Sequence, residues 1–167
     1  MAPKVSEAQR EGESPADRAL RLALEKAQAV ARGYPGAIVI GSDQVAAAGD
    51  EVLPKPGDAA CARAQLAALS GRTARFYTAC AVLGGGAGGL HRAHVDTTTV
   101  VFRSLTADEI DRYITREPSY DCAGSFKAEA LGISLCECIE SQDPSALIGL
   151  PLIWLAAALR GAGFLLP

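Results

Sequence analysis

Residues 37–45, Ala-Ile-Val-Ile-Gly-Ser-Asp-Gln-Val, constrain the fold of this chain more than any other stretch. An Ile/Val-rich run of this length, bounded by turn-forming residues, reads as a buried strand. It closes on Gly41, Ser42, Asp43 and Gln44, which puts Asp43 at or just past the strand's carboxyl end. A carboxylate there is costly to desolvate unless it is paired, hydrogen-bonded or metal-bound. In open α/β sheets, ligands bind outside the carboxyl ends of strands. Asp43 is therefore the first candidate for chemistry. The alternative is an Asp that caps a turn after a strand.

The 167 residues fit one domain, spanning 1–167, and a chain of this size buries about 70% of its unfolded surface. A net charge of −3 argues against a surface that coats a nucleic-acid polymer, whose footprint is usually basic. A small anionic ligand needs only a local cluster of cations and backbone N–H groups, so it stays open. The five cysteines (Cys61, Cys80, Cys122, Cys136, Cys138) are odd in number and lack framework spacing. They read as structural or incidental thiols, and a reducing cytoplasm is the simplest compartment. Cys136 and Cys138 could share a strand face, but a metal site there lacks two further ligands. No apolar run approaches about 18 residues, so no membrane span is expected. The polar opening, Met1 to Ser14, is no signal peptide.

Helices and strands alternate along the chain. Ser14-Pro15-Ala16-Asp17 starts a helix, with Ser14 as N-cap and Pro15 at the first helical position, and Gly33 and Pro35 end it. Asp58 caps a second helix, 59–69, closed by Gly71. Segments 75–83 and 91–102 alternate like strands around the run Gly84–Gly89, and together they suggest a long hairpin. That glycine run lacks the Lys-Ser/Thr of a phosphate loop, and strand rather than helix follows it. Thr106-Ala107-Asp108-Glu109 is a capping box for a third helix to about Thr115. Residues 133–139 read as a last strand and 152–159 as a C-terminal helix. The fold class is α/β, a mixed sheet flanked by helices.

Three further sites carry chemical interest. Lys55 sits between Pro54 and Pro56, a stiff extended setting for a flexible cation; a solvated loop lysine is the alternative. Asp121-Cys122-Ala123-Gly124-Ser125-Phe126-Lys127 gathers an acid, small residues and a cation, and Gly124 and Ser125 could let backbone amides approach an anion. Lys26 lies on the first helix, where a favourable dipole contact is the alternative. Lysines beside carboxylates suit a triphosphate with a divalent cation.

The order of motifs adds what no single motif gives. Glu25-Lys26-Ala27, Ile40-Gly41-Ser42-Asp43-Gln44-Val45, Lys55-Pro56, Leu69-Ser70-Gly71, Thr78-Ala79, Phe102-Arg103-Ser104-Leu105 and Ile148-Gly149-Leu150-Pro151 resemble the Maf family of nucleotide pyrophosphatases, from about Glu7 to the C-terminus. Gly41–Gln44, Cys122–Glu129 and Asp143–Leu147 look like the subgroup that acts on 7-methyl-GTP. The resemblance implies a Maf/ITPase-like fold and hydrolysis of a nucleoside triphosphate to the monophosphate and pyrophosphate with Mg²⁺ or Mn²⁺. It implies Asp43 as proton acceptor, and Gln44 and Glu129 as residues that set base preference. It further implies Lys26 and Lys55 at the phosphates, and Glu7 with Asp43 near the metal; Lys127, the cation of the 121–127 loop, is a further substrate-binding candidate. A homodimer is the expected assembly, and the partner a small-molecule nucleotide. The alternatives are a catalytically silent nucleotide-binding protein and a dTTP or UTP pyrophosphatase. Family members begin with a strand and a Ser- and Arg-containing turn that have no counterpart before Glu7, so the chain is expected to be N-terminally short of the family's full domain.

Overall fold

The computed structural model describes residues 3, 5–84 and 90–167. A five-stranded sheet runs in the order β2-β1-β3-β4-β5, with β1 at Ile38–Ala48, β2 at Glu51–Leu53, β3 at Thr73–Gly84, β4 at His91–Phe102 and β5 at Cys136–Glu140. Every pairing among the described residues is antiparallel. The α/β class is as the sequence implies, but the directions in this sheet are not mixed. β3 and β4 pair from Thr73↔Val101 to Leu83↔His91. Residues 85–89, on which the expected hairpin turn falls, lie outside the described residues.

The helices begin where their local chemistry says they should. In α1 (Pro15–Ala31), Ser14 Oγ accepts from the Asp17 N–H at 3.1 Å. In α2 (Ala59–Leu69), Asp58 Oδ1 accepts from the Cys61 N–H at 2.8 Å. In α3 (Ala107–Arg116), the capping box closes in both directions, Thr106 N–H to Glu109 Oε2 at 2.8 Å and Glu109 N–H to Thr106 Oγ1 at 3.3 Å. Each cap satisfies donors that the helix cannot satisfy itself. Helix α4 (Leu152–Arg160) closes the series.

The helices sandwich the sheet. Helix α1 covers one face, its Ala19, Ala23 and Ala27 packed on Val39, Val45, Ala79 and Ala81. Small side chains let the helix lie close to the sheet. The closest approach is at Gly41, where a Cβ would stand 2.8 Å from the Ala27 Cβ. On the opposite face α2 and α3 bury a larger cluster around Phe76 and Phe102, and α4 packs Leu155 and Ala158 on Cys80 and Val82. Burying a Leu, Val or Phe side chain stabilises by about 1.5–3 kcal/mol, so this cluster carries much of the stability. Phe126 stands edge-on to both Phe76 and Phe102, each centroid 5.4 Å away. That anchor fixes the loop from Asp121 to Glu129 against the sheet.

Two further expectations need correction. Asp43 is not at a strand end: β1 continues to Ala48, and Asp43 pairs with Ala79 in its middle. Its setting is a sheet edge instead, because β2 covers only Ala46–Ala48. From Ile38 to Val45 the outer edge of β1 pairs with no strand among the described residues. The last strand begins at Cys136; residues 131–135 form a 3₁₀ turn, in which Gly132 and Leu135 are buried.

Candidate active site

The open edge of β1 is the wall of a cleft of about 510 Å³. Its lining includes all seven residues singled out from the sequence: Glu7, Lys26, Asp43, Gln44, Lys55, Lys127 and Glu129. They come from five separate parts of the chain. Side chains alternate along a strand, so Asp43 shares the α1 face with Gly41 and Val45, while Ser42 and Gln44 point to the other face. Both faces reach the cleft because the strand edge between them is open.

On the α1 face, Lys26 Nζ donates to Asp43 Oδ1 at 2.5 Å and lies 3.0 Å from Glu7 Oε1. The Asp43 side chain is only 11% exposed, Glu7 57%. Burial pushes the Asp43 carboxyl above the usual 3.8, and Lys26 offsets part of that rise. Lys26 holds Glu7 below its usual 4.5 against a smaller opposing effect of burial. Burial disfavours the Lys26 ammonium, but hydrogen bonds to Asp43 and Glu7 outweigh it and leave the ammonium harder to deprotonate than usual. Lys26 is thus committed to the two acids. That pairing, rather than a helix-dipole contact, is what the fold gives Lys26.

Three further cations line the cleft. Lys55 is exposed and forms no ion pair among the described residues. Lys127 reaches Asp121 only at 3.6 Å. Arg18, which the sequence reading missed, also lines the cleft; it donates from Nη2 to the Glu7 carbonyl at 2.8 Å, and its Nε is buried without a partner. A signal for it existed: Arg18, Leu22 and Lys26 recur at intervals of four on one helix face, and all three line the cleft.

On the other face, the Gln44 Nε2 donates to Thr78 Oγ1 at 2.9 Å and to the carbonyls of Ala146 and Leu147 at 3.2 and 3.1 Å. Ser42 Oγ reaches the carbonyls of Ala79 at 2.8 Å and Gly149 at 2.7 Å. The loop 146–149 is thereby tied to β1 and β3. Asp143 holds its far end, accepting from the Ser145 N–H at 3.1 Å and the Ile153 N–H at 2.7 Å.

Gly124 and Ser125 do not present amides to the cleft. Both are buried with positive φ, Gly124 against Phe76, and Ser125 hydrogen-bonded to Gln65. Lys127 and Glu129, further along the loop, are the members that face the cavity, and the Lys127 N–H is held by the Tyr113 hydroxyl at 3.2 Å.

A divalent cation can be tested against the donors present. No group of three His, Cys, Asp or Glu side chains clusters among the described residues. Asp43 and Glu7 do converge on the single point now held by Lys26 Nζ. Two carboxylates fit Mg²⁺, which keeps several waters and takes further oxygens from a phosphate ligand.

Fold and cleft together define an α/β protein whose open sheet edge gathers carboxylates and cations around a space suited to a phosphorylated small molecule. The family described as Maf-like protein matches residues 1–162, and the chain belongs to the Maf family. It is 57% identical over 165 residues to a 7-methyl-GTP pyrophosphatase of Xanthomonas oryzae pv. oryzae (strain MAFF 311018), covering 99% of this chain and 85% of that one. A 7-methyl-GTP pyrophosphatase of Xanthomonas axonopodis pv. citri (strain 306) is 54% identical over 167 residues, 100% and 86% of the two chains. One of Bordetella pertussis (strain Tohama I / ATCC BAA-589 / NCTC 13251) is 50% identical over 164 residues, 98% and 80%.

Proposed function

We propose that this protein hydrolyses 7-methyl-GTP to 7-methyl-GMP and pyrophosphate. The observation that carries the reading is the convergence on one cleft of the Asp43–Lys26–Glu7 group with Gln44, Glu129, Lys55, Lys127 and Arg18. The relatives named above supply the substrate.

The chemistry follows from the side chains. Asp43 accepts the proton of a water as its oxygen attacks the α-phosphorus. The bond from that phosphorus to the bridging oxygen breaks, and pyrophosphate leaves with the electron pair. Lys26 offsets part of the burial that disfavours the Asp43 carboxylate. Lys55, Lys127 and Arg18 neutralise charge that builds on the leaving group. Asp43 and Glu7 would hold Mg²⁺ or Mn²⁺, which supplies further charge neutralisation at the phosphates when bound. Across β1 from the Asp43 side chain, the Gln44 Oε1, with the Glu129 carboxylate of the same cleft, accepts from the N1–H and N2–H₂ edge of guanine. Methylation at N7 makes the base cationic, which favours the Glu129 carboxylate.

No helix among the described residues is long and apolar enough to cross a membrane, and all five cysteines are free thiols. Both fit work in a reducing cytoplasm. The resemblance supports a homodimer.

Incubation with 7-methyl-GTP and Mg²⁺, followed by chromatography, tests the reading. The expected products are 7-methyl-GMP and pyrophosphate in equal amounts. Release of orthophosphate and a diphosphate would contradict it. Binding without product would mark a silent nucleotide-binding protein.

A further inference from the structure

We propose that Thr78, with the carbonyls of Ala146 and Leu147, is a specificity device: it fixes the orientation of the Gln44 amide so that only its oxygen meets the base. The inference rests on the nucleotide-binding reading above and extends it to residues that stand behind the ligand.

The hydrogen bonds dictate the orientation. Thr78 is fully buried, and its hydroxyl hydrogen is given to the Ala146 carbonyl at 2.9 Å. The Thr78 oxygen is then left as an acceptor, and it receives Gln44 Nε2 at 2.9 Å. Ala146 and Leu147 add two carbonyl oxygens at 3.2 and 3.1 Å. Three acceptors and no free donor therefore surround the amide nitrogen. Turning the amide over would set Oε1 against three oxygens, lose the donated hydrogen bonds and leave buried acceptors unmet. The Gln44 Oε1 accepts from no group among the described residues, and Gln44 lines the cleft. Gln44 therefore acts on a ligand as an acceptor alone, beside the Glu129 carboxylate in the same cavity. Such a pair favours a base edge made of N–H donors and disfavours the carbonyl-rich edge of a pyrimidine.

Thr78 does this at a distance from the ligand. It does not line the cleft, and it faces Gln44 across the β1–β3 register. It is a positioning residue. Its hydroxyl also pins Ala146, and so holds both carbonyls where the amide needs them.

The test compares wild type, Thr78→Val and Thr78→Ser for binding of 7-methyl-GMP and UMP by calorimetry. Loss of one such hydrogen bond predicts that Thr78→Val lowers the preference for 7-methyl-GMP over UMP about threefold to tenfold. Thr78→Ser, which keeps the hydroxyl, restores it. A ratio unchanged in Thr78→Val, or equal weakening of both nucleotides, overturns the proposal. Side-chain NMR gives a second measurement that does not need the nucleotides. The Gln44 amide protons should resist exchange in wild type and exchange about tenfold faster in Thr78→Val. Wild-type exchange as fast as that of an exposed glutamine overturns the proposal. Turnover of 7-methyl-GTP is read separately: a wild type that binds but does not hydrolyse overturns the catalytic reading and leaves the specificity ratio to judge Thr78. Binding of neither nucleotide overturns both.

Discussion

Two carboxylates of this cleft stand in different surroundings, and the proposed reaction gives them different work. Asp43 is buried and its carboxyl is pushed up, while Glu129 is exposed to the ligand side of the loop. As the proposed base, Asp43 must be ionised. Its raised value means that acid removes activity at a higher pH than for an ordinary aspartate. The acid limb of kcat/KM should therefore have its midpoint above 3.8; a midpoint at or below that value would contradict the assignment. Glu129→Ala should weaken kcat/KM for 7-methyl-GTP by about tenfold more than for UTP, since it removes a charged acceptor from the base end. Equal losses would deny Glu129 a role in base choice. Six of the seven candidate residues were legible in the sequence because short motifs carry them, and Glu7 was placed by the resemblance alone. What the sequence hid was partnership. Nothing in Glu25-Lys26-Ala27 says that Lys26 is bound to Asp43, because that contact depends on how closely α1 lies on β1. Arg18 escaped for a related reason, and Thr78, legible within the Thr78-Ala79 motif, gave no sign of its partner: their significance lies in what they face, not in what flanks them.

That closeness is set at the level of elements. Helix α1 reaches β1 through Ala19, Ala23 and Ala27, and its approach is limited at Gly41. A Cβ there would stand 2.8 Å from both the Ala27 Cβ and its backbone nitrogen, neither of which can rotate away. Gly41→Ala should destabilise by about 1–3 kcal/mol, read as a lower urea midpoint at unchanged slope. It should also lower turnover by drawing Lys26 off Asp43; an unaltered midpoint would show that the helix can shift freely. The helix boundaries were readable because Ser14, Asp58 and Thr106 act within one turn of themselves. The strand boundaries were less so. Leu131 to Leu135 alternates in polarity as a strand would, yet forms a 3₁₀ turn, since Gly132 packs on the Lys127 backbone. β1 outran its expected end because its polar residues face a cleft rather than a core, a distinction that alternation alone does not make.

Across the whole molecule, two ion pairs tie separate segments and set the response to acid. Arg21 draws the Glu13 carboxyl down to about 2. The Thr106 N–H and hydroxyl, then Arg103, draw Glu109 down to about 2. A depressed folded-state value gives stability that is present above the unfolded value and is lost as pH falls through the folded one. Unfolding midpoints should therefore decline between about pH 4.5 and 2. Asp43 has the opposite sign, its contribution being greatest below its ordinary value. Glu109→Gln, which keeps the capping acceptor without the charge, should flatten part of the decline; an unchanged acid profile would remove Glu109 as a source. The central claim concerns the cleft at the open edge of β1. Its most direct test is pyrophosphate release from 7-methyl-GTP by wild type and Asp43→Asn, with 7-methyl-GMP binding measured in both. Loss of the general base predicts turnover reduced by about 10²–10⁴ with binding retained. Turnover in Asp43→Asn equal to that of wild type would contradict the account.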